Sequence, residues 1–225
     1  MCGRFTLSTP AAKLIELFQV TAFPQFEPRY NIAPTQLVIC IRDTGRDREA
    51  SGMRWGLIPS WAKDESIGNR LINARAETAA EKPSFRSAYR KRRCLIPVDG
   101  FYEWEKREGR GKQPWLIHRP KHQPFAFAGL WESWRPKVGD NADASPVLSC
   151  TILTTAANTD VSDIHDRMPV IIPREHFNVW LDTGTDIDRL AELTQPSAPG
   201  TLQRYEVSTL VNRPTVDSSE CVLPL

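Results

Sequence analysis

The chain has 225 residues, 40% of them hydrophobic and 25% charged, with a net charge of +2. That length suits one large domain with a substantial core, and the composition is globular rather than disordered or fibrous. A charge this near zero gives no global field for nucleic acid, so such a partner would meet a local basic patch. No apolar run is long enough to span a bilayer, and no cationic-then-apolar leader opens the chain.

The five cysteines, Cys2, Cys40, Cys94, Cys150 and Cys221, are scattered, with no CxxC pair. The set argues against a disulfide framework and against a metal site, and makes a reducing cytoplasm the expected location. Cys40, Cys94 and Cys150 lie in apolar strand-like runs and read as core thiols.

The chain opens Met1-Cys2-Gly3-Arg4-Phe5. Removal of Met1 would leave an α-amine and a thiol on one residue, with reference pKa values of about 8 and about 8.5. Such a pair can form an imine with an aldehyde and then close a five-membered thiazolidine, which an internal cysteine cannot. Gly3 would allow close approach to a substrate, and Arg4 could hold a phosphate or carboxylate. The alternative is a small hydrophobe that buries behind the start codon.

Leu7 to Leu17 reads as an amphipathic helix, capped by Thr9 with Pro10 in its first turn and burying Leu14, Leu17 and Phe18. Phe23 to Pro28 is an irregular crossing. Arg29 to Pro34 leads into a strand at Leu37 to Ile41, and Asp43-Thr44-Gly45 turns it back through Ser51 to Trp55. Gly56 to Trp61 is an apolar loop bearing an aromatic.

Leu71 to Glu77 is predicted as a strand placing Asn73, Arg75 and Glu77 in one polar row. Arg86 and Arg90-Lys91-Arg92-Arg93 follow on a helix and its end. They form either an anion-binding surface or a solvated, dipole-complementing terminus.

A strand at Cys94 to Val98 turns at Asp99-Gly100 into Phe101-Tyr102-Glu103-Trp104-Glu105. Two readings stand for Glu103. Its aromatic neighbours could desolvate it and raise its pKa into the range of a proton donor, or alternation could point it into water. Lys106 to Lys112 is a hairpin loop, with further strands at Trp115–His118, Phe125–Trp131 and Val147–Thr155, and a flexible loop over 135–146.

In Ile164-His165-Asp166-Arg167-Met168-Pro169, His165 is flanked by charge at a turn before an apolar strand. Asp186 to Leu193 is a helix, Leu202 to Val207 a last strand, and the apolar end of the chain is expected to pack. Strands dominate without a βαβ alternation, so the expected class is α+β. The sheet is mainly antiparallel, a barrel-like or sandwich core with peripheral helices, as a single domain over 1–225.

Five blocks together resemble the SOS-response-associated peptidase (SRAP) family of abasic-site processing proteins. They are Met1 to Phe5, Arg29 to Pro34, Asn73-Ala74-Arg75-Ala76-Glu77, Asp99 to Trp104 and Ile164 to Pro169. The resemblance implies a protein that recognises abasic sites in single-stranded DNA near a duplex junction and links Cys2 to them covalently, with associated AP-lyase and reversal chemistry. By position, Cys2 would be the nucleophile, Asn73 would orient the sugar and the N-terminus, Glu103 would be the general acid/base, and His165 would assist proton transfer. Arg4 and Arg75 would bind phosphates, with Arg86 and Arg167 as further DNA contacts, while Pro34 and Trp61 would pack against displaced bases. No metal or other cofactor is implied, and a monomer acting on the nucleoid is expected.

Two departures stand out. Ala62 follows Trp61 where a second aromatic is common, and Asp217 stands where an Asn is expected. The rival readings are a thiol (auto)peptidase using Cys2 and His165, and a non-catalytic binder of single-stranded or modified DNA.

Overall fold

The computed structural model describes residues 2–109, 111–136 and 145–225. In chain order its first elements are β1 (Phe5–Leu7), α1 (Ala11–Phe18), β2 (Arg29–Ile32), β3 (Leu37–Asp43), β4 (Arg48–Trp55), β5 (Asn73–Arg75), α2 (Ala76–Ala79) and α3 (Arg86–Lys91). Strands β6 (Arg93–Val98), β7 (Gly100–Arg107), β8 (Gly111–His118), β9 (Phe125–Trp134), β10 (Val147–Ala156), β11 (Arg167–Pro169) and β12 (Ile171–Ile172) follow. Helices α4 (Phe177–Leu181) and α5 (Ile187–Leu193) and strand β13 (Gln203–Glu206) complete the set.

Strands β4, β3, β6, β9 and β10 pair in turn and close on themselves, because β10 also lies parallel to β4. The result is a barrel, and β5 adds to it alongside β10. A second, open sheet runs β13-β8-β7-β1-β2. The α+β class and the barrel core expected from the sequence are both present.

Alternation along these strands puts Cys94 and Leu95 on opposite faces of β6, and Cys40, Cys94, Cys150, Leu95 and Phe127 are all 0% exposed, so both faces are covered. Phe5 of the second sheet joins this core, its ring 5.2 Å from that of Trp55 and 6.0 Å from that of Phe127. Burying one such side chain stabilises the fold by about 2–3 kcal/mol, so Phe5 fixes where β1 lies on the barrel.

Several local expectations are corrected. The first helix begins at Ala11, and Leu7 belongs to a strand. Thr9 does not cap that helix; its hydroxyl donates to Asp99, which also accepts the N–H groups of Ser8 and Thr9 at 2.6 and 2.9 Å. With the Ser8 hydroxyl at 3.0 Å the carboxylate has four donors, a stronger attraction than one helical N–H, and it ties the end of β1 to the bend before β7. The predicted strand over 71–77 stops at Arg75, where Ala76-Glu77-Thr78-Ala79 turns helical and takes Glu77 out of the polar row.

The basic run at the end of α3 is only half solvated. Arg93 is buried and donates to the carbonyls of Tyr89, Arg90, Trp180 and Asp182, closing the ends of α3 and α4 together. Arg92 pairs with the buried Glu132. The β7–β8 hairpin extends further than the sequence suggested, to Arg107 opposite Gly111. Of the loop expected over 135–146, residues 137–144 lie outside the described residues.

The end of the chain packs only in part: Cys221 is buried, while Leu223 and Leu225 stay 57% and 76% exposed, and the docking is made upstream. Asn31 is 0% exposed and its amide donates to the carbonyls of Val211, Arg213 and Val216. Asp217 accepts the N–H groups of Tyr30 and Asn31 at 2.5 and 2.9 Å and pairs with Arg29. The acidic side chain at this position therefore anchors the tail to β2 through a carboxylate rather than an amide.

Candidate active site at the amino end

Strand β1 runs antiparallel to β7 with Phe5 opposite Phe101, and the Tyr102 N–H donates to the Arg4 carbonyl at 3.0 Å. Continuing that register places Gly3 opposite Glu103 and brings Cys2 beside it. Glu103 is 2% exposed, which resolves the two sequence readings in favour of burial. Desolvation pushes its carboxyl up to about 7, assisted by the negative charge of Asp166 and opposed by the positive chain terminus and by Lys112. A glutamate in that range exchanges protons near neutral pH.

Cys2 is fully buried, its Sγ 3.9 Å from the Arg4 carbonyl. Burial, then the charge of Glu103, raises the thiol well above its ordinary range, so it is a neutral thiol at pH 7. Asn73, at the start of β5, donates from Nδ2 to the Cys2 carbonyl at 2.8 Å. Its Oδ1 is buried with no hydrogen-bond partner among the described residues. Such an acceptor costs about 1–3 kcal/mol unless a donor arrives.

His165 closes the turn Asn158–His165, its N–H bonded to the Val161 carbonyl at 3.1 Å. Asp160 holds that turn against the chain before β13 by accepting from the N–H groups of Gly200 and Leu202. Burial lowers the His165 pKa, followed by the positive chain terminus, while Asp166 opposes. His165 and Glu103 thus share the influence of the chain terminus, Asp166 and Lys112. The four residues expected to carry chemistry converge where the chain begins.

The expected DNA contacts divide. Arg75 is exposed at the end of β5, and Arg86 is exposed at the start of α3, lining a cleft with Ser87, Arg90 and Lys91. Trp61 is 51% exposed, whereas Ala62 beside it is buried and its carbonyl accepts from the Trp134 indole. Pro34 is half-buried in the loop before β3. Arg4 is half-buried, donating to the Val211 carbonyl at 2.9 Å and to Asn31, with its Nε lacking a partner among the described residues.

Arg167, expected as a further DNA contact, is engaged within the protein. Both of its Nη atoms are taken by Glu77 at 2.6 and 2.8 Å, and it also donates to the Thr154 carbonyl. A phosphate would have to displace that bidentate pair.

Sequence reasoning missed Lys112, which it left in a hairpin loop, and the tail-holding role of Asn31. The signal for Asn31 was present: one amide between apolar neighbours in a strand asks for partners. Among the described residues no cluster of His, Cys, Asp and Glu could hold a metal ion, and no helix is long and apolar enough to cross a membrane.

A family model described as SOS response associated peptidase (SRAP) matches residues 1–214. The chain is 45% identical over 226 residues to abasic site processing protein YoqW of Bacillus subtilis, covering 99% of each. It is 31% identical over 269 residues to abasic site processing protein HMCES of Gallus gallus, covering all of this chain and 78% of that one. A crystal structure of a protein from Bacteroides thetaiotaomicron is 26% identical and superposes with a TM-score of 0.86 over 100% of both chains. The chain belongs to the SOS response associated peptidase (SRAP) family.

Proposed function

We propose that this protein acts on abasic sites in single-stranded DNA and links itself to them through Cys2 once Met1 has been removed. The relatives named for abasic-site processing support the substrate. The chemistry rests on one observation above all: Cys2 is held by Asn73 beside the buried Glu103, whose carboxyl burial pushes up to about 7.

An abasic sugar exists mostly as a closed hemiacetal, so a proton must move before C1′ becomes an aldehyde. Glu103 delivers and recovers that proton. The Cys2 α-amine then adds to C1′, giving a carbinolamine that loses water to an imine, with His165 assisting the transfer. The Cys2 sulfur adds to the imine carbon while the thiol proton passes to nitrogen. The net change is one thiazolidine formed and one water released.

An imine at C1′ also acidifies C2′, so loss of the 3′ phosphate by β-elimination is the accompanying AP-lyase activity, and ring closure protects the strand from it. Reversal runs the same proton transfers backward through Glu103. Asn73 Oδ1 supplies an acceptor for a sugar hydroxyl or the amine. Arg4, Arg75 and Arg86 supply sequence-independent phosphate contacts, and Pro34 and Trp61 pack against bases displaced near a duplex junction. The protein works as a monomer on DNA in the cytoplasm, without a cofactor.

The thiol-peptidase reading requires a thiolate–imidazolium pair. Here burial moves Cys2 up and His165 down, which favours the neutral pair instead. A non-catalytic binder gives no reason for a buried glutamate beside Cys2. The test is to incubate untagged protein with a single-stranded oligonucleotide carrying one abasic site, then run a denaturing gel. A heat-stable slow band, absent with intact DNA, is expected; cleaved DNA without that band, or no product from protein beginning at Cys2, overturns the crosslinking reading.

A further inference from the structure

The imidazole of His165 has two partners that cannot be satisfied together. The Arg167 backbone N–H donates to Nδ1 at 2.9 Å, which requires a lone pair on that nitrogen. The Asp166 carboxylate lies 2.9 Å from the same Nδ1, which rewards a proton there. In the neutral ring the lone pair faces Arg167 and the proton sits on Nε2. In the imidazolium, Nδ1–H turns to Asp166.

We infer that Asp166 is a positioning residue for His165, exchanging with the Arg167 N–H as the partner of Nδ1 each time the ring takes up or gives away a proton. The inference rests on the reading of His165 as a proton carrier given under Proposed function. Charge is what Asp166 supplies, because its side chain is 87% exposed and packs little. A catalytic acid needs its protonated form to be populated at the working pH, and burial alone works against that for a histidine.

The other charges around His165 do not replace this one. The chain terminus and Lys112 are positive and both disfavour the imidazolium. The Arg167 guanidinium is positive as well and is neutralised by Glu77. Asp166 is the acidic group acting on His165 among the causes of its shift, and it also helps hold Glu103 in the neutral form. One exposed carboxylate therefore biases both proton carriers toward their protonated states.

Asp166→Asn keeps size and removes charge, and Asp166→Glu keeps charge. The first measurement is the NMR titration of the His165 ring in the DNA-free protein, assigned by its loss in His165→Ala. The midpoint is expected to fall in Asp166→Asn and to return toward the original in Asp166→Glu, with thermal stability unchanged. The second is the pH profile of crosslinking to an abasic oligonucleotide. Its optimum is expected to move to lower pH in Asp166→Asn, with the rate at pH 7.5 reduced roughly three- to tenfold, a part of the ~10²–10⁴ that a positioned acid contributes.

An unchanged His165 midpoint in Asp166→Asn overturns the inference whether or not the protein crosslinks DNA. So does an unmoved pH optimum in a protein that crosslinks. A lowered midpoint in a protein that never crosslinks overturns the functional reading instead, and with it the catalytic use of the pair.

Discussion

Cys2 and the three thiols of the barrel, Cys40, Cys94 and Cys150, are equally inaccessible at 0% exposure, yet they sit in opposite kinds of surroundings. In the barrel, Cys40 has the thiols of Cys94 and Cys150 as hydrogen-bond neighbours, and burial pushes Cys40 and Cys94 up. Around Cys2 stand Glu103, poised near 7, an amide with an unused acceptor, and the positive chain terminus. Burial alone makes a thiol inert. What distinguishes the site on the second sheet is the proton traffic that surrounds an otherwise similar sulfur.

The largest test of that contrast is Cys2→Ala. It is expected to abolish the crosslinked band while leaving most of the non-covalent affinity for an abasic oligonucleotide, measured by anisotropy. A surviving band would move the chemistry to another nucleophile.

Glu103→Gln comes next and should separate activity from stability. Crosslinking is expected to fall roughly 10²- to 10⁴-fold, the range for a positioned general acid. Stability should move the other way. Because the folded-state pKa is raised from 4.5 to about 7, the native state binds more protons than the unfolded chain between those values, and stability drops as pH rises through them. The cost above pH 7 is on the order of 3 kcal/mol, and glutamine removes it. Urea denaturation of both proteins at pH 5 and pH 8 reads this directly: the variant should gain at pH 8 and little at pH 5. An equal gain at both would mean that Glu103 does not titrate between them.

Much of this architecture was legible in the sequence because apolar alternation reports burial directly. The strands around Cys40, Cys94 and Cys150 were read from it, and their thiols were read as core. The orientation of Glu103 was not, since period-two alternation beside three aromatics supports either face, and only the tertiary fold, which leaves it 2% exposed, decides. Glu77 was placed in a strand because alternation continued through Ala76, but Ala-Glu-Thr-Ala is short and helix-favouring, and tertiary pairing ended the strand at Arg75. The ion pair of Arg167 was not legible because its partner, Glu77, lies 90 positions earlier in the chain. Long-range ion pairs leave no local signal.

Cys94→Ala probes the other side of the comparison. Removing a buried thiol is expected to lower stability by about 1–2 kcal/mol, read as a lower Tm, with crosslinking unchanged. A Cβ placed on Gly129 would come within 2.7 Å of the Cys94 sulfur, so the two positions are fitted to each other and the variant leaves that space unfilled. A loss of crosslinking at constant stability would show that the barrel thiols take part in the reaction, and the contrast drawn above would fail. Arg75→Ala carries a smaller effect, weakening binding across sequences and reducing the slope of log affinity against log salt by about one. An unaltered slope removes Arg75 from the phosphate contacts.

The smallest effect is expected at Asp217→Asn, which asks whether the tail belongs to the site or only to the sheet that carries it. Asparagine keeps an oxygen for the Tyr30 and Asn31 N–H groups but loses the charge that holds Arg29. Both ion-pair partners are partly solvated, so the loss should stay at or below about 1 kcal/mol. Crosslinking should stay within twofold, because the Val211 carbonyl that holds Arg4 and the Asn31 amide is left in place when the carboxylate becomes an amide. If crosslinking instead fell while Tm held, Arg29 and its carboxylate would be steering Arg4 through β2. The second sheet would then have to be described as one polar network extending to the chain end, rather than as a scaffold beneath a local site.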